Sequence, residues 1–311
     1  MIEINNSLLA GYLLKCFNPS LVCYQGRYLL YYRYTPQPGG VHTCIAFVEL
    51  SSNFQPVSRH CHIHLPKVTD RILTIDDPRA FVWRDQLWLL HIQAAQYQHS
   101  QQCRWSTAIV LARVNLAGQV IQVYVPTYGR NNNYAVTDAP PAFEKNWTPV
   151  VVGDELYIVY EIHPLTVLKF QPKQQALIPV CYKSWNNPYP TYLSGGTPLI
   201  YWHGSEYIGL FHTYVKLPNK QRLYSMGFYT VDVEQWCVNR ISSQPILTAW
   251  HDDRKNLGWQ EEFSRGKPLV VFPSGIIECG EAWAVSFGWN DCRCCIQLYE
   301  KSVVFASLIS V

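Results

Sequence analysis

Blocks of basic residues and long apolar runs are both missing from this chain of 311 residues. Lysine and arginine occur singly or in pairs and the formal net charge is only +3, so a nucleic-acid or lipid surface is not indicated. The best helical window, residues 7–15, is too short to span a bilayer, and Glu3 precedes it where a secretory signal would be basic. We therefore expect a cytoplasmic protein with no membrane span and no nucleic-acid partner.

Helical periodicity is also scarce, whereas apolar residues make up 48% of the chain and aromatic residues 14%. Such a composition is typical of a folded protein with wide, tightly packed sheets. One pattern occurs five times: a proline opens an apolar stretch, a short polar turn follows, and a second aliphatic and aromatic stretch returns. The copies are Pro19–Arg33, Pro78–His91, Pro149–Tyr160, Pro198–His212 and Pro273–Phe287.

Each copy predicts a β-hairpin, because two strand-like runs flank a pair of turn residues. Self-similarity at a spacing of roughly 50 to 75 residues is typical of blades arranged around an axis. Five copies predict an all-β fold, a five-bladed β-propeller, and its closed ring would make residues 1–311 a single domain. The predicted turn pairs are Gln25-Gly26, Arg84-Asp85, Gly153-Asp154, Gly204-Ser205 and Cys279-Gly280.

The 11 cysteines form no regular disulfide framework, and their odd number favours thiols in a reducing compartment. Two clusters could be interpreted as metal sites, His60–His64 with three imidazoles and Cys292–Cys295 with three thiols. Neither has the paired Cys-x-x-Cys spacing of a zinc site, and buried cysteine is commonly a small apolar filler. We predict no metal, and metal analysis of the protein would decide both cases.

In a propeller the innermost strands of all blades lie beside one axis, so polar residues at one end of them converge. Carboxylates, imidazoles and an arginine from different blades could protonate a leaving oxygen and bind a polyhydroxylated or phosphorylated ligand. The alternative is that each polar residue closes its own turn, as Asp-Pro often does. The residues at these positions are Asn18, Asp77, Thr148, Thr197, Arg33, His91, Glu161, His163, His212 and Asp291.

Two features make Asp77 the strongest candidate. The adjacent Asp76 and Arg79 make a simple turn role less convincing, since a turn needs neither a second carboxylate nor a guanidinium. Glu144 and Glu161 are further acids near predicted strand starts and ends, and either could act as a base toward water. Each of these two glutamates could equally be a surface residue.

Short motifs along nearly the whole chain resemble, in order, those of glycoside hydrolase family 130, a family of mannoside phosphorylases and related hydrolases. A related group of mannosyltransferases shares its five-bladed propeller fold. One motif falls on each predicted blade. They are Phe17-Asn-Pro-Ser20, Asp76-Asp-Pro-Arg79, Glu144-Lys-Asn-Trp147, Ser194-Gly-Gly-Thr-Pro198 with His212, and Phe287-Gly-Trp-Asn-Asp291.

The resemblance implies roles for individual residues. Asp77 falls where the family has its catalytic acid, which in several members acts through a hydroxyl of the sugar. His212 falls where the phosphorylases place a histidine on phosphate. By position in the matching motifs, the further candidates for substrate binding are Asn18, Arg33, Asp76, Arg79, Lys145, Asn146 and Asp291.

The chain departs from the family pattern at two positions. Asp76 stands where the family usually has Glu, and Tyr192 stands where the phosphorylases have a phosphate-binding Lys. A phosphate dianion needs paired cationic donors, so the second departure weighs against simple phosphorolysis.

Three functions follow as hypotheses. The preferred one is inverting glycosyl transfer or phosphorolysis of a mannoside-like substrate, with Asp77 as general acid or base. Its partners are an oligosaccharide and a sugar phosphate or nucleotide sugar, and no metal or cofactor is required. The alternatives are an inverting hydrolase that uses Glu144 or Glu161 as base, and a propeller that binds glycan or protein without chemistry.

Overall fold

The structure is a computed structural model that describes residues 1–4, 9, 15–37, 42–99, 102–128, 144–249 and 269–311, with the backbone alone for 97–99 and 102–104. Its elements, in chain order, are β1 (Ile2–Ile4), β2 (Cys16–Tyr24), β3 (Arg27–Tyr34), β4 (Cys44–Leu50), β5 (Cys61–His62), β6 (Ile72–Trp83), β7 (Gln86–His99), β8 (Gln102–Val114), β9 (Val120–Tyr124), β10 (Thr148–Val152), β11 (Glu155–Glu161), β12 (Leu165–Gln171), β13 (Ala176–Lys183), β14 (Ser194–Gly195), β15 (Ile200–His203), β16 (Glu206–Lys216), β17 (Arg222–Asp232), β18 (Cys237–Ser242), β19 (Leu247–Thr248), β20 (Val271–Cys279), β21 (Ala282–Trp289), β22 (Arg293–Glu300), α1 (Lys301–Ser307) and β23 (Leu308–Ser310).

The strands form five sheets with antiparallel neighbours. Sheet I has the order β2-β3-β4-β5, sheet II β6-β7-β8-β9, sheet III β10-β11-β12-β13 and sheet V β20-β21-β22-β1. Sheet IV is larger, with seven strands: β14 to β19 and β23. Its inner edge is divided between the short strands β14 and β15, which both pair with β16.

All five predicted hairpins are present, as β2–β3, β6–β7, β10–β11, β15–β16 and β20–β21. Their turns start with a residue in the left-handed region, with φ between 50° and 56°, as tight hairpin turns require. Four turns lie where the sequence predicts them. The fifth is Gly280–Glu281, one residue later than predicted, because Cys279 still pairs with Ala282 in the ladder.

Each pair of neighbouring sheets encloses its own apolar cluster. The alternation of side chains along a strand explains this, since one strand faces two different neighbours. In β3, Leu29 and Tyr31 pack toward sheet II, whereas Leu30 and Tyr32 pack toward sheet V. Further clusters join sheet II to III, III to IV and IV to V. The contacts therefore run round a ring, from sheet I to sheet V and back to sheet I.

The first strand of the chain closes the ring, and the last strand extends sheet IV. Strand β1 forms the outer edge of sheet V, where Ile2 pairs with Ile296. Strand β23 forms an edge of sheet IV, where Ile309 pairs with Ile241. Among the described residues, no helix is both long and apolar enough to cross a membrane.

The predicted all-β fold is confirmed, and the sheets have a propeller-like arrangement. Four sheets are regular four-stranded blades. Sheet IV departs from this regular form, because β14 and β15 share one edge, β19 pairs with β17, and β23 pairs with β18.

Candidate active site

Asp77 lies at a break in the ladder between β6 and β7. The register shifts between Asp76 and Arg79, and Asp77 adopts a φ of 50°. Aspartate and asparagine tolerate this left-handed conformation better than most residues, and proline next to it donates no ladder hydrogen bond. Side chains along a regular strand alternate between the two faces of the sheet, and the bulge exempts Asp77 from this alternation.

Sheet I repeats this device at Asn18. The β2–β3 register shifts between Phe17 and Ser20, and Asn18 has a φ of 49°. The two side chains meet, with Asn18 Nδ2 donating to Asp77 Oδ1 at 2.8 Å. Two matching bulges in neighbouring sheets thus bring together residues 59 positions apart.

Arg33 joins both aspartates. Its Nε lies 2.9 Å from Asp76 Oδ1 and its Nη1 lies 3.4 Å from Asp77 Oδ1. Burial acts to lower the pKa of Arg33, but the carboxylates of Asp76, Asp77 and Asp291 outweigh it and raise that pKa. Arg33 therefore stays charged, and it also lies over the Phe17 ring at 4.7 Å.

Asp76 is held more deeply than Asp77. Thr43 Oγ1 donates to its Oδ1, and Thr74 Oγ1 donates to its Oδ2 at 2.8 Å. Burial raises the pKa of Asp76, and the nearby Arg33 charge opposes this shift. Both oxygens of Asp76 are thus engaged by the protein, whereas the described hydrogen bonds to Asp77 all reach Oδ1.

Sequence reasoning missed the two threonines. Thr74 lies two residues before Asp76 on the same face of β6, and this period of two is a signal that could have identified it. Thr43 precedes β4 in another sheet, and no local pattern marks it.

Arg79, predicted to bind substrate, is fully buried. Its Nε donates to the Gly196 carbonyl at 2.5 Å and its Nη2 to the Gly195 carbonyl at 3.1 Å. Burial lowers the pKa of Arg79 to about 10, so it remains protonated at neutral pH. Its charge acts on Asp77 and on His212.

His212 is buried as well, with 4% of its surface exposed, against the Phe272 ring at 4.7 Å. Burial lowers the pKa of His212 to about 3, and the charges of Arg79 and Lys145 act in the same direction. The imidazole is therefore neutral at physiological pH. It can offer a hydrogen bond to a ligand but no positive charge.

Lys145 interacts electrostatically with both His212 and Asp77. Partial desolvation and the charge of Arg222 lower the pKa of Lys145, and Asp77 opposes them. The predicted residues Arg33, Arg79 and Lys145 thus all act electrostatically on Asp77.

A cavity of about 160 Å³ contains the other predicted acids and the rest of the 144–147 motif. Glu144 accepts hydrogen bonds from Trp147 Nε1 at 3.1 Å and from Tyr160 Oη at 3.2 Å, while burial raises the pKa of its carboxyl. The cavity lining includes Glu144, Lys145, Asn146, Tyr160, Glu161, Tyr192, Ser194 and Gly195.

Asp291 occupies the turn between β21 and β22, with a φ of 51°. It is exposed, and its carboxylate acts on Arg33, the residue that also binds Asp76 and Asp77. The structure thus brings a residue from sheet V to the same group of charges as residues from sheets I and II.

Gly288 leaves the space that Asn18 occupies. A Cβ at position 288 would lie 2.1 Å from Asn18 Oδ1 and 2.8 Å from the Asn18 backbone nitrogen. We expect Gly288→Ala to lower the free energy of unfolding by about 1–3 kcal/mol, because backbone cannot move aside as a flexible side chain can. Chemical denaturation measures this.

The matched control is Gly153→Ala, in a hairpin turn with nothing within 4 Å of the added Cβ and a φ of 56°. It should cost only about 1 kcal/mol, from backbone strain. Equal losses in the two variants would show that the contact with Asn18 is unimportant.

In the predicted Cys292–Cys295 cluster, Cys292 Sγ donates to the Trp289 carbonyl at 3.4 Å, and in the His60–His64 cluster two imidazoles contact tyrosine hydroxyls. His60 Nδ1 lies 2.7 Å from Tyr32 Oη, and His62 Nδ1 lies 2.9 Å from Tyr34 Oη. Within the part of the chain that the structure describes, no group of three or more His, Cys, Asp or Glu residues is placed to hold a metal ion. No disulfide joins the cysteines whose side chains are described.

A second depression, of about 480 Å³, lies at the other end of the innermost strands. It is lined mainly by apolar residues such as Val22, Val82 and Ile276, with Glu278 at its edge. It contains none of the predicted site residues. The charged cluster around Asp77 is therefore the candidate active site.

Most glycosidases act through a pair of carboxyl groups beside the scissile bond, and this end of the propeller-like ring holds several carboxylates within reach of Arg33. The profile of glycoside hydrolase family 130, described as beta-1,4-mannooligosaccharide phosphorylase, matches residues 4–305. The chain belongs to this family, which confirms the resemblance read from the motifs. A comparison with curated proteins gives no match.

Solved structures support the fold. A beta-1,2-mannobiose phosphorylase from Listeria innocua is 13% identical, with a TM-score of 0.61, over 96% of this chain and 94% of that one. MPT-4, a mannose phosphorylase from Leishmania mexicana in complex with phosphate, is 13% identical with a TM-score of 0.61 over 100% and 91%. MPT-1, a GDP-Man-dependent mannosyltransferase from the same organism, is 9% identical with a TM-score of 0.54 over 93% and 85%.

Proposed function

We propose that this protein is an inverting mannoside-active enzyme that transfers a mannosyl group to or from an anionic second substrate, phosphate or a sugar nucleotide. Asp77 is its general acid or base. The observation that carries the proposal is the pair of hydrogen bonds that Asp77 Oδ1 accepts, from Asn18 at 2.8 Å and from Arg33 at 3.4 Å. With Oδ1 anchored, Oδ2 is the oxygen available to a guest.

The mechanism follows from this arrangement, in which Oδ1 of Asp77 is bound by the protein and Oδ2 faces the substrate. When a β-mannoside is cleaved, Asp77 supplies the proton that the leaving oxygen needs, directly or through a hydroxyl of the sugar as the resemblance implies. Phosphate attacks the anomeric carbon from the opposite face, so the C–O bond to the leaving group breaks as the bond to phosphate forms. In transfer from a sugar nucleotide, Asp77 instead accepts the proton of the acceptor hydroxyl as that oxygen bonds to the anomeric carbon, while the bond from this carbon to the diphosphate breaks and the nucleoside diphosphate leaves.

We assign binding of the sugar to Asn18, Arg33 and Asp291. Asn18 and Arg33 contact Asp77, and the carboxylate of Asp291 acts on Arg33. Asp76 supports Arg33 rather than a guest, since Thr43 and Thr74 engage both of its oxygens. We assign Lys145, Asn146 and His212 to the second substrate. Lys145 supplies positive charge there, and the neutral His212 supplies a hydrogen bond.

The geometry of Glu144 weighs against this residue as the base of the hydrolase alternative. Both of its carboxylate oxygens accept hydrogen bonds, from Trp147 and Tyr160. A base that activates water needs an oxygen turned to that water. Glu161 is the better placed of the two glutamates, since the described side-chain hydrogen bond to it, from Thr166 Oγ1 at 3.5 Å, reaches Oε2 alone.

The reactions of the structural relatives indicate which substrates to test. We expect release of mannose 1-phosphate from a β-mannobiose only when phosphate is present, or mannosyl transfer only when GDP-mannose is present, because the nucleophile or donor is part of the reaction. Product analysis by NMR also reports inversion at the anomeric carbon. Mannose released at an equal rate in buffer without phosphate or nucleotide would identify a hydrolase instead, and no turnover of any of these would favour a binding protein.

The proposal includes the architecture and the location. Sheet IV serves as the fifth blade, since it packs between sheets III and V through shared apolar clusters. The pairing of β1 in sheet V supports a single domain over residues 1–311. A cytoplasmic location fits an enzyme that uses sugar phosphates or nucleotide sugars, which are made there.

A further inference from the structure

Arg79 is the most deeply buried charge in the candidate active site, with none of its surface exposed. A residue that grips substrate needs some of its guanidinium accessible to that substrate. Two of the three nitrogens of Arg79, Nε and Nη2, instead donate to backbone carbonyls, and the Phe272 ring lies 5.6 Å from its Cζ. The third, Nη1, is buried and has no hydrogen-bond partner among the described residues. Its contacts are therefore those of a connection inside the protein.

The two ends of this connection belong to different sheets. Arg79 is in β6 of sheet II, directly after the bulge that presents Asp77. Gly195 and Gly196 belong to the segment that begins sheet IV, 116 and 117 residues further on. The fork of the guanidinium spans two successive carbonyls, a geometry that the single ammonium of lysine cannot reproduce.

The glycine segment has no room to shift. A Cβ at Gly195 would lie 2.2 Å from the Asn146 carbonyl oxygen, and one at Gly196 would lie 2.5 Å from the Leu210 carbonyl oxygen and 2.8 Å from Pro273. Sheets III, IV and V thus enclose the segment, and Arg79 closes it from sheet II.

The same segment determines where His212 lies. Ser194 pairs with His212 and Gly195 with Phe211 in the ladder between β14 and β16. The Gly196 amide also donates to the Leu210 carbonyl at 3.0 Å. A displacement of residues 194–196 would therefore be transmitted to His212.

We propose that Arg79 is a positioning residue, whose paired hydrogen bonds to Gly195 and Gly196 set the separation between Asp77 and the His212 strand. It touches neither substrate. Because a proton donor and a nucleophile must both meet the anomeric carbon, a small change in this separation slows the reaction itself. The inference rests on the proposed roles of Asp77 and His212.

The test is Arg79→Lys, which keeps the positive charge and removes the fork. We expect kcat to fall by about 10- to 100-fold while KM for the mannoside changes less than about 3-fold, since alignment matters in the transition state. In an Asp77→Asn background the same change should cost almost nothing more, because Asp77 is the group being positioned. A higher KM at unchanged kcat, or losses that multiply, would overturn the proposal.

Arg84→Lys is the matched control. Arg84 lies on the same hairpin, and its Nε also donates to a carbonyl of another sheet, that of Asp154, at 2.9 Å. It is far along β6 from the bulge, so kcat should be unchanged. An equal loss in both variants would attribute the effect to general loosening and contradict the proposal.

Hydrogen exchange on the wild-type protein decides the matter if Arg79→Lys does not fold. The Gly196 and Thr197 amides should exchange among the slowest of the protein, because both donate to the Leu210 carbonyl and lie in or next to the segment that Arg79 binds. If these amides exchange as fast as those in the hairpin turns, residues 195–197 are not held in place and the proposed role of Arg79 is wrong. This measurement needs no turnover, so it distinguishes failure of the proposed role of Arg79 from failure of the proposed function.

Discussion

Replacing Asp77 with asparagine is expected to lower kcat about 1,000-fold or more, the loss typical of a missing general acid or base. The fold should survive, because the amide oxygen can accept the same hydrogen bonds from Asn18 and Arg33 that Asp77 Oδ1 accepts. Steady-state kinetics with the mannoside and the second substrate measure the first effect. Circular dichroism and thermal unfolding measure the second.

Asp85→Asn controls for the loss of one carboxylate on the same hairpin. Asp85 lies in the β6–β7 turn with a φ of 54°, a conformation that asparagine adopts equally well. Its kcat should equal that of the wild type. Retention of most of the wild-type rate by Asp77→Asn would remove Asp77 from the mechanism, and with it the proposed function.

Replacing Arg33 with methionine is expected to be the most destabilising single change at the site, by roughly 3 kcal/mol. The reason is the carboxylate that it leaves behind: Asp76 has only 14% of its side chain exposed and would lose its cationic partner. Activity should fall below detection as well, since Arg33 also holds Asp77. Urea denaturation and the same kinetic assay measure the two effects.

The destabilisation should depend on pH in a definite direction. Burial raises the pKa of Asp76 in the folded protein, so the folded state holds this proton more tightly than the unfolded chain does. That contribution to stability is present at low pH and is lost as the pH rises through the raised pKa. Without Arg33 the pKa of Asp76 rises further, so the deficit should be larger at about pH 8 than at about pH 5.

Arg27→Met provides the comparison with a surface pair. Arg27 binds Glu49 with two hydrogen bonds, yet 42% of its side chain is exposed. Its loss should cost at most about 1 kcal/mol, because water already screens the pair. A deficit for Arg33→Met that is no larger, or that shrinks as the pH rises, would show that Asp76 does not carry a buried charge.

Local patterns were sufficient to predict much of the framework. The five hairpins follow from proline, turn residues and β-branched runs, all of which act within about 15 residues. Asp77 and Asn18 could be singled out because each precedes a proline at the start of a predicted strand. The bulges that turn these two side chains toward each other have no such local signal.

The partners of the site residues could not be predicted in the same way. Arg33 lies in sheet I and Asp76 in sheet II, so no local pattern relates them, and Thr43 has no pattern of its own. Arg79 shows the limit most clearly, because an arginine beside two acids is typical of a ligand-binding group. Only its burial against Gly195 and Gly196 reveals a connection between sheets.

Strand formation, turn positions and the all-β class depend on neighbours in the chain, and for this reason they can be read from the order of amino acids. Which charges face one another, which are buried and which remain for a guest depend on how sheets I to V close into a ring. That closure joins residues hundreds of positions apart, as in the pairing of Ile2 with Ile296. Its energetics come from burial and electrostatics that arise only once the ring is complete.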